Sequence, residues 1–99
     1  MLHIVNKSPS QTGALASCLR LAQDGHALLL IEDGIYAATA RSPAADSVRA
    51  ACARLKVYAL QPDLDARGMG GALLEGVTAV DYGGFVDLVA EHPACQSWL

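Results

Sequence analysis

The sequence predicts an α/β fold, a single domain in which a mostly parallel sheet carries helices on both faces. Short β-prone runs alternate with helical segments in the order βαβαβαβα. One run, Ala27–Ile31, is apolar throughout, which is typical of a strand buried on both sides in a parallel sheet. At 99 residues the chain has room for one such domain, spanning residues 1–99.

The first half of the chain predicts two strands and one helix. Leu2–Val5 is the first strand, and the loop after it contains Pro9, which disfavours helix just before it. From about Thr12 to Gln23, apolar residues recur at the spacing of one helical face: Leu15, Cys18, Leu19 and Ala22. Ala27–Ile31 is the second strand, and Glu32–Gly34 ends it in a turn. Asp33 stands where a catalytic carboxylate would be useful, but Asp-Gly is more often simply a turn.

The middle of the chain predicts a second helix and a third strand. Ser42 can cap the helix, with Pro43 in its first position. The inward face of this helix is expected to carry Val48, Ala51, Cys52 and Leu55. The third strand is Lys56–Leu60, and the following Gln61-Pro62 stops it.

The last third predicts two further helices around a fourth strand. Asp63 can cap a short helix that ends at Gly68, and a flexible loop leads to the strand Val77–Val80. Asp81 can cap the last helix, which should turn four apolar side chains inward: Tyr82, Phe85, Val86 and Val89. In such folds reactive groups gather beyond the carboxyl ends of the strands.

Composition limits the classes of function. Hydrophobic residues make up 53% of the chain and charged residues 17%, against about 45–50% and about 25% in typical soluble domains. We therefore expect part of the apolar surface to face a partner subunit. The net charge of −3 and the scattered basic residues argue against direct binding of nucleic acid. The chain shows neither a signal-peptide pattern nor an apolar stretch of about 18 residues, so we expect a cytoplasmic protein that does not enter a membrane.

The thiols are the strongest candidate nucleophiles. The chain lacks the motifs of nucleotide binding, serine hydrolysis and zinc proteolysis, and its three histidines show no metal-ligand spacing, so no cofactor or metal is expected. Cys18, Cys52 and Cys95 cannot all pair within one chain and form no C-x-x-C motif, which suits free thiols in a reducing cytosol. A thiolate could take up a sulfane sulfur as a persulfide.

The predicted positions of the three thiols indicate only in part which of them is reactive. Cys52 lies on the inward face of the second helix and is most simply a core residue. Cys18 lies on the apolar side of the first helix, which favours burial over reactivity. Cys95 is expected in an exposed tail after Pro93, where a thiol usually has no task.

The whole chain resembles the DsrH/TusB family. The segments that carry the resemblance are Met1–Pro9, Leu30–Ala38, Lys56–Leu60, Asp63–Gly68, Val80–Tyr82 with Phe85 and Val86, and Trp98-Leu99. The resemblance implies a DsrE-like fold and a subunit of a heterohexamer built from DsrE, DsrF and DsrH chains, or from their counterparts TusD, TusC and TusB. It also implies that sulfur passes through the complex as cysteine persulfide to a carrier of the DsrC/TusE type.

The segment Ala14–Ala22 resembles the DsrH branch, in which a cysteine stands at the position of Cys18. This resemblance favours dissimilatory sulfur oxidation and makes Cys18 the preferred catalytic, persulfide-carrying residue. The alternative branch, the TusB type, serves 2-thiolation of the wobble uridine in tRNA. The family's main transfer cysteine belongs to the DsrE/TusD chain, and no cysteine follows the third strand here.

Two hypotheses therefore stand side by side, and the sequence leaves open whether the chain is itself an enzyme. In the first, Cys18 accepts and passes a sulfane sulfur. In the second, the chain is a noncatalytic structural subunit whose apolar surface, including Tyr36, Tyr58 and Trp98, completes the complex.

Overall fold

A computed structural model, which describes residues 1–98, places five strands in one sheet. They are β1 (Leu2–Val5), β2 (Ala27–Leu30), β3 (Lys56–Leu60), β4 (Val77–Val80) and β5 (Cys95–Trp98). The strand order is β4-β3-β2-β1-β5, and every neighbouring pair is parallel. The predicted α/β class with a parallel sheet is confirmed.

Four α-helices and one 3-10 helix connect the strands. The α-helices are α1 (Ala14–Leu21), α2 (Ala45–Ala51), α3 (Gln61–Ala66) and α4 (Tyr82–Glu91), and the 3-10 helix spans Glu32–Ala38. From β1 to β4 each new strand is added on the same side of the previous one. Because the crossover connections are right-handed, the helices between these strands all lie on the same face of the sheet. The return from β4 to β5 runs the other way, so α4 lies on the opposite face.

The two faces of the sheet are buried unequally. On the helix-rich face, strand residues such as Val5, Leu28 and Val57 pack beneath α1, the 3-10 helix, α2 and α3. On the α4 face, the buried cluster is Leu2, Ala27, Leu29 and Leu88. Helices therefore lie on both faces, as predicted, but one face carries most of the core.

The predicted inward face of α4 is wrong for three of its four residues. Tyr82, Val86 and Val89 are exposed, whereas Leu88 is the helix residue that is buried. Phe85 is half-buried against the small cluster of the α4 face. The N-cap is confirmed, because the Asp81 carboxylate accepts a 2.7 Å hydrogen bond from the backbone N–H of Gly84.

The segment after Pro93, which the sequence predicted to be an exposed tail, forms a strand. β5 pairs with β1 from Leu2↔Cys95 to Val5↔Trp98, so Cys95 is exposed but held in the sheet. The element order predicted from the sequence, βαβαβαβα, therefore omitted β5. Leu99, the last residue of the segment Trp98-Leu99, lies outside the described residues.

Two helix starts also differ from the sequence prediction. α2 begins at Ala45, because the hydroxyl of Ser42 accepts from the N–H of Ala44 and closes a turn before the helix. α3 begins directly after β3, with Pro62 in its first turn, so Asp63 is not its cap. The carboxylate of Asp63 instead accepts a 2.6 Å hydrogen bond from the N–H of Glu32.

Candidate functional site

A cavity of about 480 Å³ opens beyond the carboxyl ends of β1 and β2. Three of the loops that follow strands meet there: the β1–α1 loop, the 3-10 helix with the turn after it, and the loop after α3. The lining residues are Ser8, Pro9, Ser10, Gln11, Asp33, Tyr36, Thr39, Arg41, Ser42, Pro43 and Met69. The lining mixes hydroxyls, one aromatic ring and one guanidinium, and it contains no cysteine.

Gly34 allows the 3-10 helix to form one wall of this cavity. A Cβ atom at Gly34 would lie 2.3 Å from the carbonyl oxygen of Val5, far inside van der Waals contact. The glycine therefore lets the helix lie directly against the end of β1. The predicted Asp-Gly turn is thus the first turn of a 3-10 helix.

Charged groups fasten the same helix to α3. Arg67 donates from Nε to Oδ1 of Asp33 at 2.9 Å, and its Nη1 lies 3.8 Å from Oδ1 of Asp63. The hydrogen bond to Asp33 raises the pKa of Arg67. Glu32 has a positive φ of 49°, and the bond from its N–H to Asp63 holds that turn in place. Asp33 is therefore committed to a structural ion pair at the cavity wall.

Cys18 lies in the core and away from the cavity. Its side chain is 0% exposed on the inner side of α1, and burial raises the pKa of its thiol to about 11. Arg54 supplies an opposing positive charge, and its guanidinium donates to the carbonyl oxygens of Leu19 and Ala22 near the end of α1. At neutral pH only about one thiol in ten thousand would be a thiolate at that pKa. In this conformation the thiol of Cys18 is therefore closed off from a donor and is almost entirely protonated.

The other two thiols do not line the cavity. Cys52 is half-buried, and burial raises the pKa of its thiol. Cys95 is exposed at the start of β5 and pairs with Leu2, so it lies at the opposite end of the sheet from the cavity. All three are free thiols.

Two further observations concern metals and membranes. Within residues 1–98, no three side chains of His, Cys, Asp or Glu converge as they would to hold a metal ion. Over the same residues, no helix combines the length and apolarity needed to cross a bilayer.

The sequence predicted that reactive groups would gather beyond the carboxyl ends of the strands, where this cavity lies, but it did not predict which residues line the cavity. Tyr36, Thr39 and Arg41 come together because the 3-10 helix folds back over the strand ends, and no sequence signal for that helix was recognised. The Asp-Gly pair after a buried strand was the available signal, because a glycine there permits close backbone approach.

Comparison with known proteins places the chain in a family. The family model "DsrH like protein" matches residues 7–95. Protein TusB of Escherichia coli strain K12 is 41% identical over 98 residues, which cover 99% of this chain and 100% of that protein. Protein TusB of Shigella flexneri matches at the same identity and coverage.

Solved structures agree on the fold. The ychN protein of Escherichia coli superposes with a TM-score of 0.83 at 18% identity, over 97% of each chain. MTH1491 of Methanobacterium thermoautotrophicum, a protein of unknown function, superposes with a TM-score of 0.77 at 25% identity, over 97% of this chain and 95% of that one. By its sequence over most of its length, and in agreement with its fold, this chain belongs to the DsrH family.

Proposed function

We propose that this chain is a subunit of a cytoplasmic DsrEFH/TusBCD-type heterohexamer that passes persulfide sulfur to a DsrC/TusE-type carrier. Membership of the DsrH family over residues 7–95 supports this proposal, as does 41% identity to TusB over nearly the whole chain. Its partners would be a DsrE/TusD-like chain and a DsrF/TusC-like chain. Neither nucleic acid nor a membrane would be bound directly by this subunit.

Within that complex the proposed role is structural, and the burial of Cys18 is the observation that carries it. A thiol that is fully enclosed is not accessible to a donor in this conformation, and a pKa raised to about 11 by burial disfavours the thiolate that would act as the nucleophile. The cavity at the strand ends contains no thiol either. The transfer cysteine would then belong to the DsrE/TusD-like partner, and this chain would complete the assembly around it.

The outer side of α4 is the surface best suited to hold such a partner. Val86 is 66% exposed and Tyr82 is 62% exposed, and Val89 lies beside them on the helix. Apolar side chains that are exposed together are typical of a protein interface. The aromatic residues expected at the interface are less suitable, since Tyr36, Tyr58 and Trp98 are half-buried against the chain's own cores.

In a second candidate role, Cys18 itself carries the sulfur as a persulfide. The DsrH-like segment Ala14–Ala22 favours this role. The Cys18 thiolate would attack the outer sulfur of a donor persulfide, the donor's S–S bond would break, and the donor would leave as a thiolate. The new Cys18 persulfide would lose that sulfur to an acceptor thiolate in the same way. This role requires a conformational opening that brings Cys18 out of the core.

Intact-mass analysis of the co-expressed complex after treatment with a persulfide donor distinguishes the two roles. One bound sulfur adds about 32 Da, and peptide mapping assigns it to a chain and a cysteine. The structural role predicts an adduct on a partner chain and unchanged loading of the complex by Cys18→Ser. Cys95→Ser is the control, since it removes the exposed thiol of this chain. An adduct mapped to Cys18 and lost in Cys18→Ser would overturn the structural role.

For the metabolic branch we propose dissimilatory sulfur oxidation, with tRNA 2-thiolation as the alternative. The cysteine at position 18 favours the first branch, and the similarity to TusB favours the second. Deletion of the gene in its host should stop oxidation of stored sulfur and leave 2-thiouridine in tRNA unchanged. Loss of 2-thiouridine with normal sulfur oxidation would assign the chain to the tRNA branch.

A further inference from the structure

Two histidines and the single tryptophan form a hydrogen-bonded row at the β1–β5 edge of the sheet. The indole Nε1–H of Trp98 donates to Nδ1 of His3 at 3.1 Å. Nε2 of His3 lies 3.0 Å from Nδ1 of His26. The backbone N–H of Gln23 also points to Nδ1 of His26, at 3.2 Å. The row therefore links β5 through β1 to the loop before β2.

Only one arrangement of protons satisfies this row. Nδ1 of His26 accepts from the N–H of Gln23, so it carries no proton of its own. Nε2 of His3 must then be the donor to His26, where it shares the single lone pair of Nδ1 with the N–H of Gln23, and Nδ1 of His3 is left free to accept from Trp98. Each imidazole is therefore neutral. Protonating either ring would place two N–H groups against each other.

The charges around the row also oppose protonation. His3 is 3% exposed, and desolvation, then His26 and then the amino group of Met1 lower its pKa. The pKa of His26 is lowered by desolvation, by the same amino group and by His92. The carboxylate of Asp24, in the loop that carries Gln23, forms an ion pair with Arg54, whose Nη1 lies 3.6 Å from Oδ1 of Asp24.

Trp98 is the main side-chain attachment of β5. The strand borders β1 alone, and Cys95, Gln96 and Ser97 are exposed. Trp98 is half-buried, and it packs against the core of the helix-rich face as well as bonding to His3. Losing the bond to His3 would remove the polar part of this attachment and place the indole N–H against another donor.

We propose that the His3–His26–Trp98 row is a proton-operated latch that holds β5 on the sheet when both imidazoles are neutral and releases it when either is protonated. The inference is independent of the sulfur-transfer role. Detachment of β5 removes the Trp98 donor from Nδ1 of His3, so the detached state binds a proton more readily than the closed state does. The latch is therefore closed when the pH is well above the ordinary imidazole pKa of about 6.5 and weakens as the pH falls below it.

Hydrogen–deuterium exchange of the full-length chain, alone or with co-purified partners, measures the latch directly. The readout is the protection of a peptide covering β5 at pH 7.5 and at pH 5.5, corrected for the intrinsic pH dependence of exchange. One unit below a pKa of 6.5, each imidazole that must stay neutral weakens the closed state about tenfold. We expect protection of β5 to fall by up to that factor for each of the two imidazoles, while β2 and β3 keep theirs. Equal protection of β5 at both pH values would overturn the proposal.

Asparagine variants remove the titration and keep the acceptors. In His3→Asn and His26→Asn the side-chain oxygen can take the place of Nδ1, and neither variant can be protonated. The double variant should hold β5 equally at both pH values. His92→Gln is the comparison variant: Nδ1 of His92 bonds to the carbonyl oxygen of Leu88, outside the row, and its charge affects only the pKa of His26, so this variant should keep the fall in β5 protection at low pH. A double variant that keeps the wild-type fall in protection would also overturn the latch.

If the double variant holds β5 poorly at every pH, nuclear magnetic resonance of the wild-type protein provides a second test of the latch. The nitrogen shifts of His3 and His26 should report neutral rings protonated at Nε2 at pH 7.5. The indole N–H resonance of the single tryptophan should shift together with their titration. Titration of His3 without any response of the indole resonance would contradict the latch.

Discussion

The two faces of the sheet show how differently one chain can bury its apolar residues. The helix-rich face lies beneath three α-helices and the 3-10 helix, and strand residues such as Leu28 and Leu30 are fully buried there. The α4 face has one helix across it, with a buried cluster of four residues. That single helix also exposes apolar side chains outward.

The difference indicates which part of the fold is complete in the isolated chain. A parallel sheet is normally covered on both faces, because its strands are apolar on both sides. The helix-rich face meets that requirement within the chain. The α4 face meets it in part, so a partner subunit would supply further cover there.

The largest expected effect comes from truncating matched leucines on the two faces. Leu28→Ala should lower the free energy of unfolding by about 4 kcal/mol, because it opens a cavity in the larger core. Leu88→Ala should cost about 2 kcal/mol, because the smaller cluster can relax around it. Urea unfolding of both variants measures the difference. Equal losses would mean that the two faces are equally well packed.

The next largest effect concerns the wall between the cavity and the helix-rich core. Gly34→Ala should cost about 1–3 kcal/mol, since its Cβ would meet the carbonyl oxygen of Val5 and displace the 3-10 helix. Gly13→Ala is the control, because a Cβ there has no neighbour within 4 Å. A Gly34→Ala protein as stable as Gly13→Ala would refute the close approach, and thermal unfolding provides the measurement.

The smallest effect on stability is expected on the outer side of α4. Val86→Lys should change the free energy of unfolding by less than about 0.5 kcal/mol, because Val86 is largely exposed. It should nevertheless weaken assembly with the partner chains, which co-purification and size-exclusion chromatography would measure. Ala50→Lys, on the exposed side of α2, is the control and should assemble normally. Normal assembly of Val86→Lys would remove α4 from the proposed interface.

Strand positions were predictable where local sequence determines them. The bounds of β1, β3 and β4 agree with the prediction at both ends, because each is a β-prone run stopped by loop or helix-capping residues. β5 was missed because its residues, Cys-Gln-Ser-Trp, have little apolar character. Its stability comes from pairing with β1, and the bond between Trp98 and His3 joins residues 95 positions apart.

The orientation of α4 and the site were harder to predict for related reasons. α4 carries apolar residues on more than one side, so periodicity could not select Leu88 over Val86 as the inward residue. The burial of Cys18 agrees with its apolar neighbours in α1. The cavity depends on how a 3-10 helix packs on the end of β1, which is a tertiary contact that no short motif encodes.

The parallel pairing of β5 with β1 also determines the order in which the sheet can form. Strands β1 to β4 and the helices between them are synthesised before any residue of β5 exists. The β1–β5 ladder has the longest sequence separation of any strand pair in the sheet, and such contacts form late because closing a long loop costs entropy. During synthesis, β1 is therefore an open sheet edge, able to pair with another chain until β5 arrives.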